Sequence, residues 1–288
     1  MKPIKPIKPT YFEARKWASF AIKDRSENDM YDVDFLLEQR FNLSATDLLI
    51  RYQRSMPLKQ WQQFQNDIRQ LISGMPPQYI VGRADFYGLS LHVTSDVLIP
   101  RVETEELIDW ILATFPTSSE QPMRVLDIGT GSGAIAIALK KNRPTWNLVG
   151  SDISDKALKI AILNAQNQNV AVSFLKSDVF DQIHGKFDLI VSNPPYISID
   201  EKADMDQRVI HYEPKLALYA EDRGLAIYKR LARGAADHLT TDGRLFVEIG
   251  FHQEQAVIKL FQQANPRAVV IGRHDVSGNQ RMVQLKMK

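Results

Sequence analysis

Between Arg124 and Leu139 the chain sets a short apolar run, Arg124-Val125-Leu126-Asp127-Ile128, before the turn Gly129-Thr130-Gly131-Ser132-Gly133 and the helical Ala134-Ile135-Ala136-Ile137-Ala138-Leu139. A glycine-rich turn between strand and helix lets backbone approach a ligand closely and aims helix N–H groups at its polar atoms. The alternation continues to the C-terminus, with strands predicted at 124–128, 147–151, 172–175, 187–192, 244–249, 268–271 and 282–285. Strands that alternate with helical patterns predict a doubly wound α/β domain.

A carboxylate, Asp152, follows the second of these strands, where it can bind ribose hydroxyls. Turn and carboxylate together predict a nucleoside-bearing cofactor. They leave its identity open, because Gly129-x-Gly131-x-x-Ala134 also satisfies the relaxed dinucleotide fingerprint.

The strand at 187–192 ends in Asn193-Pro194-Pro195-Tyr196. Asn193 and Pro194 each precede a proline and are pushed toward extended geometry, and neither proline carries an N–H. The result is a stiff segment with two acceptors, the Asn193 side-chain oxygen and the Pro194 carbonyl. Such a pair suits a substrate –NH2 group, gripping both hydrogens while its third direction stays free. Taken alone, the tetrapeptide also suits an ordinary rigid loop.

Ahead of this domain the pattern is helical. Thr10 with Glu13 forms a capping box, and Ala14, Trp17, Ala18, Ala21 and Ile22 share a face behind it. Further helices are predicted over 31–41, from Ser44 onward, and over 57–73, the last with a stripe of Leu58, Trp61, Phe64, Ile68, Leu71 and Ile72. The expected organisation is a mobile Lys/Pro-rich tail at 1–9, a helical bundle at 10–75, a hairpin linker at 76–100 and a catalytic domain at 101–288. Within the linker, Tyr79-Ile80-Val81 and 89–93 are predicted as short strands.

Composition narrows the function. The 36 basic and 34 acidic residues leave a net charge of +2, which makes no electrostatic case for wrapping duplex nucleic acid. With no cysteine, disulfides, thiolate metal sites and a cysteine nucleophile are excluded. His184, His211 and His252 lack metal-ligand spacing, and no metal is expected. No apolar run approaches a membrane span and no signal peptide is evident. The chain is read as cytoplasmic and monomeric.

Asp127 before the glycines and Asn193-Pro194-Pro195-Tyr196 on the later strand resemble the amino-group methyltransferases that use S-adenosyl-L-methionine (AdoMet). From about residue 77 onward the chain is similar, more specifically, to the HemK/PrmC family of release-factor glutamine methyltransferases. That likeness rests on Phe86-Tyr87-Gly88, Leu98-Ile99-Pro100-Arg101 with Glu103-Thr104-Glu105, the glycine turn, Ser177-Asp178, the Asn-Pro-Pro-Tyr segment, Tyr212-Glu213-Pro214 with Ala217-Leu218, and Gly278-Asn279-x-Arg281. Two positions depart from the family pattern. Val102 stands where a second proline is usual, and Val179 stands where some members place an aromatic beside the adenine.

The resemblance implies a seven-stranded, Rossmann-like AdoMet domain behind a substrate-recruiting bundle. Its reaction moves methyl from AdoMet to the side-chain amide nitrogen of the glutamine in the Gly-Gly-Gln motif of class I release factors, leaving S-adenosyl-L-homocysteine and modulating translation termination. It implies that Asp127, Gly129, Thr130, Gly131, Ser132, Gly133, Asp152, Asp178, Val179 and Asn193 bind cofactor. Asn193, Pro194, Pro195 and Tyr196 are implied to hold the substrate, with Asn193, Pro194 and Tyr196 catalytic. Arg101, Glu103 and Glu213 are candidate lid or substrate contacts, each equally suited to a solvated ion pair. Two other readings compete: a nucleic-acid adenine methyltransferase, which wants a basic face and base-flipping cleft, and a non-catalytic AdoMet-binding scaffold.

Overall fold

The computed structural model describes residues 8–23, 29–116 and 122–288. The basic tail expected at 1–9 falls, for 1–7, outside the described residues. The chain forms two compact units. One holds the chain up to Arg83 together with Asp206–Tyr212, and the other holds Ala84–Met205 and Glu213–Lys288.

The first unit contains α1 (Tyr11–Ile22), α2 (Met30–Phe41), α3 (Ala45–Arg51), α4 (Leu58–Ile72) and α5 (Pro77–Val81). Capping boxes start two of them, Thr10 with Glu13 and Ser44 with Asp47. Trp61, Phe64, Ile68 and Leu71 on α4 pack into a core with Ala14, Ala18, Leu36 and Leu37. The fully buried Asp67 is held by both arms of the Arg40 guanidinium at 2.8 and 3.0 Å, and Arg40 also donates to the Ile80 carbonyl. Such pairing offsets the cost of burying the carboxylate.

One expectation is corrected here. Tyr79-Ile80-Val81 is helical, the end of α5, rather than a strand. Proline at the first helical position presets φ and has no N–H to waste, and Gly82 closes the turn in the left-handed region at φ 79°. The hairpin follows instead as β1 (Arg83–Phe86) and β2 (Leu89–His92). Its two-residue turn puts both Tyr87 and Gly88 at positive φ, as a type I′ turn requires.

The second unit continues with α6 (Val102–Thr114), β3 (Arg124–Ile128), α7 (Ala134–Asn142), β4 (Asn147–Asp152), α8 (Asp155–Asn167), β5 (Val172–Lys176) and β6 (Phe187–Ser192). A 3₁₀ turn (Ile199–Asp204) and short α9 (Gln207–Tyr212), α10 (Lys215–Leu218) and α11 (Glu221–Gly224) lead to α12 (Ala226–His238). The chain finishes with β7 (Leu239–Glu248), α13 (Glu254–Ala264), β8 (Val269–His274) and β9 (Gln280–Lys286). The seven-stranded sheet has the order β5-β4-β3-β6-β7-β9-β8, parallel through β7, with β9 antiparallel to both neighbours.

Alternation along the strands serves two cores. Val125, Leu189, Val191 and Phe246 join α6 and α7 in one cluster. Leu126, Ile190, Leu245 and Val247 join α12 and α13 in the other. Because side chains alternate across a sheet, these runs are apolar on both faces, and that is why they read as continuous apolar stretches in sequence. The chain winds outward from β3 through β4 to β5, then returns to place β6 on the other side of β3. The crevice beyond the carboxyl ends of β3 and β6 is therefore the topological switch point, where open α/β sheets bind ligands.

Candidate active site

The register brings the two sequence motifs together. Ile128 pairs with Ser151 on β4 and with Ser192 on β6, so the glycine turn, Asp152 and Asn193 leave the sheet side by side. They line one cavity of about 360 Å³, which also takes in Phe86, Arg101, Thr104, Pro214, Leu216 and Ala217.

The turn is built by the backbone. Gly129 and Thr130 donate N–H groups to the Ser151 carbonyl at 2.8 and 2.9 Å. Gly129 and Gly131 stand at φ 71° and 55°, and a Cβ on Gly129 would meet nothing within 4 Å. A left-handed turn with open space in front of it is what a closely approaching ligand needs. Asp127, fully buried, accepts from Thr130 Oγ1 at 2.6 Å and from Ala136 N at 3.2 Å, tying the turn to the start of α7. Burial pushes its carboxyl up to about 7 against those two hydrogen bonds. Asp127 and Gly133 do not line the cavity. A Cβ on Gly133 would meet Ile137 at 3.0 Å and Ala161 at 3.2 Å, so this glycine serves the packing of α7 on α8.

Asp152 receives Gly131 N and Ser154 N, each at 2.9 Å, and burial raises its carboxyl above the usual range. Each oxygen keeps a further lone pair for a ligand hydroxyl. Asp178 lines the cavity, but one of its oxygens accepts from Arg230 Nη1 at 2.6 Å. Next to it Val179 is buried at φ 52°, an unusual conformation for a β-branched residue, held by Ser177 Oγ donating to its carbonyl. Backbone strain of this kind concentrates at ligand sites. The cavity therefore fits a nucleoside: a cradle without side chains, a carboxylate with spare lone pairs, and a strained wall beyond.

Asn193, Pro194 and Pro195 line the same cavity. The Asn193 amide donates to Thr104 Oγ1 at 3.0 Å, and Thr104 donates to Glu248 Oε2 at 2.6 Å. Tyr196 is not part of the lining. Its ring packs against the second core cluster, its hydroxyl is pushed up to about 12 by burial, and its carbonyl accepts from Gln253 Nε2 at 2.8 Å. Arg101 also lines the cavity and forms an ion pair with Glu213, itself buried, at 2.5 Å. His184, His211 and His252 are exposed, and no metal-holding group of side chains exists among the described residues.

A family model described as the PrmC N-terminal domain matches residues 13–82, and one described as the methyltransferase small domain matches 108–216. The release factor glutamine methyltransferase of Streptococcus pneumoniae is 45% identical over 260 residues, which span 90% of this chain and 92% of that protein. The chain belongs to the release factor glutamine methyltransferase family. The Lactococcus lactis enzyme of that name is 49% identical over 218 residues, 76% of this chain and 80% of its own. Among solved structures, a methyltransferase from Pyrococcus furiosus matches with a TM-score of 0.53 at 16% identity, covering 77% of this chain and 98% of that one, a likeness of fold. Membership of a methyltransferase family implies an AdoMet methyl donor. Among the described residues, no helix is long and apolar enough to cross a membrane.

Within this family setting, several contacts have no sequence signal. Arg230 on α12 occupies Asp178, and Gln253 braces Tyr196. The segment after Tyr196 is pinned at its base by a bridge between Ile197 and Tyr219. Its middle, Asp206–Tyr212, belongs to the first unit, where Arg208 pairs with Asp32 at 2.9 Å and the Tyr212 hydroxyl donates to the Ser73 carbonyl at 2.9 Å.

Gly224 supports the Asn-Pro-Pro-Tyr segment from behind. It sits at φ 80°, and a Cβ there would lie 2.0 Å from the Tyr196 carbonyl oxygen. Left-handed strain of about 1–2 kcal/mol and overpacking of about 1–3 kcal/mol should add. Gly224→Ala is therefore expected to lower stability by roughly 2–5 kcal/mol in denaturant titration. A midpoint unchanged from the parent chain would show that Tyr196 yields freely.

Proposed function

We propose that this chain transfers the methyl group of AdoMet to the side-chain amide nitrogen of the glutamine in a release factor's Gly-Gly-Gln loop. The observation that carries this reading is the shared cavity: Asn193 and Pro194 line it together with the glycine turn and Asp152. Gly129, Thr130, Gly131 and Ser132 would hold the methionine end, Asp152 the ribose, and Asp178 with Val179 the adenine. AdoMet supplies, when bound, a methyl group activated by its sulfonium.

The chain's own contribution is to make a poor nucleophile usable. An amide nitrogen shares its lone pair with the carbonyl, and full loss of that conjugation costs about 18–20 kcal/mol. Asn193 Oδ1 and the Pro194 carbonyl accept the two N–H groups, favour partial pyramidalisation and steady the positive charge developing on nitrogen. The lone pair is thereby directed away from both acceptors. As the new N–C bond forms, the nitrogen becomes acidic enough to lose one proton without a strong base. Tyr196 anchors the segment through its ring, partly buried against the second core cluster. The helical unit recruits the release factor by a surface remote from the glutamine.

Transfer of radiolabelled methyl to intact release factor, total RNA and duplex DNA tests this reading. Label on the factor alone is expected, and label on nucleic acid instead would replace it with the adenine reading. Asp152→Ala tests the cofactor half. Losing a charged acceptor from two hydroxyls should weaken AdoMet binding by about 1.5–3 kcal/mol, roughly ten- to 150-fold. A calorimetric affinity equal to the parent's would remove Asp152 from the site.

A further inference from the structure

Thr104, on the cavity lining, and Glu248 lie beside Asn193, both buried, and the cofactor and substrate contacts proposed above use neither. Thr104 stands in the first turn of α6, and Glu248 ends β7. The register explains the meeting: Ser192 on β6 pairs with Val247 on β7, which places the next residues, Asn193 and Glu248, at the same level. Thr104 bridges them, accepting from Asn193 Nδ2 at 3.0 Å and donating to Glu248 Oε2 at 2.6 Å.

A hydroxyl has one proton to donate. With that proton committed to Glu248, Thr104 offers only lone pairs to Asn193, so the –NH2 end of the Asn193 amide must face it. The oxygen end is then the one left for the cavity. We propose that Thr104 and Glu248 are positioning residues that fix which end of the Asn193 amide meets the substrate, the ionised Glu248 being the state that presents oxygen. This rests on the reading of Asn193 as an acceptor for a substrate –NH2.

Protonation reverses the logic. A neutral Glu248 donates its own proton to Thr104, which frees the Thr104 hydroxyl to donate toward Asn193. The amide then turns its oxygen to Thr104 and presents –NH2 to the substrate –NH2, donor against donor. The groups around Glu248 set where this happens. Burial raises its carboxyl to about 7; the hydrogen bond from Thr104, the charge of Arg281 and the Asn193 amide oppose the rise, and Glu103 adds to it. Tyr228 donates to the Glu248 backbone carbonyl at 2.7 Å, and the Tyr196 hydroxyl is the remaining titratable neighbour. Both tyrosines stay neutral in this range, so Glu248 is the group whose ionisation Thr104 meets directly.

The test uses the full chain with ¹⁵N-labelled asparagine and ¹³C-labelled glutamate carboxyls. The Asn193 side-chain amide resonance is expected to shift with the same midpoint as the Glu248 carboxyl, and Thr104→Val to abolish that response while Glu248 still titrates. In turnover, Thr104→Val should lower kcat roughly 10- to 100-fold, less than loss of the acceptor itself, with AdoMet affinity unchanged. Thr104→Ser keeps the hydroxyl and should recover to within a few-fold, and Glu248→Gln should remove the pH response of the Asn193 amide resonance. An Asn193 amide that ignores the ionisation of Glu248, or a serine variant as slow as the valine one, overturns the proposal. A coupled titration in a chain that methylates no release factor would sink the proposed substrate and leave the relay standing.

Discussion

Replacing Asn193 with alanine is expected to slow methyl transfer to a Gly-Gly-Gln substrate by about 100-fold or more, the scale for losing one transition-state acceptor, while AdoMet affinity stays within a few-fold. The separation follows from where the side chain sits. Asn193 is half-buried on the cavity lining, and its amide donates to Thr104 rather than to the glycine turn or Asp152. Truncation leaves the cofactor cradle, which is built from the Gly129 and Thr130 N–H groups on Ser151, untouched. What disappears is the acceptor that favours a pyramidal nitrogen over the planar one, a contact that matters more in the transition state than in the ground state. Single-turnover rates with saturating AdoMet, set beside calorimetric affinities, report the two quantities separately. Turnover near that of the parent chain would sink the acceptor mechanism. A parallel loss of AdoMet affinity would instead move Asn193 from the amide to the cofactor.

How far the sequence could be read depended on how local each signal was. The strands at 124–128 and 187–192 were legible because both faces are buried, which leaves uninterrupted apolar runs. Thr10 with Glu13 and Ser44 with Asp47 announced helix starts because a capping box is closed within one turn. The glycine turn and Asn-Pro-Pro-Tyr were legible for the same reason, since their chemistry lies in consecutive residues. Tyr79-Ile80-Val81 misled because three apolar residues carry no usable period, and the deciding signals were Pro77 ahead of them and Gly82 behind. Thr104 and Glu248 look, one at a time, like an ordinary helix-start residue and a strand-end acid. Only the parallel register of β6 with β7, which sets Asn193 level with Glu248, and the start of α6 beside it reveal that Thr104 bridges the two. The same holds for Arg230 on Asp178, where a basic residue on an amphipathic helix gives no hint of a partner across the fold.

Removing the helical unit should separate the chemistry from the recruitment of its substrate. A chain beginning near Pro76 keeps the seven-stranded sheet, the glycine turn, Asp152 and the Asn-Pro-Pro-Tyr segment, which all belong to the second unit. It is expected to bind AdoMet and to methylate a short Gly-Gly-Gln peptide within a few-fold of the full chain. On intact release factor its kcat/KM should fall by about 100-fold or more, because a tethered second contact raises the effective concentration of the loop by that order. Remote binding energy of this kind is realised by positioning the amide, with the methyl-transfer centre itself unchanged. The truncation also strips Asp206–Tyr212 of its supports, since Arg208 loses Asp32 and Tyr212 loses the Ser73 carbonyl. That second effect has its own signature. Loss of bracing acts on the segment that returns to Glu213 and the cavity lining at Pro214, Leu216 and Ala217, so it would slow peptide and protein alike. Arg208→Ala in the full chain isolates it, breaking the part-buried pair while leaving the helices in place. A large loss confined to intact factor assigns the helices to recruitment. Equal losses on both substrates, matched by Arg208→Ala, assign them to holding the substrate-side segment in shape.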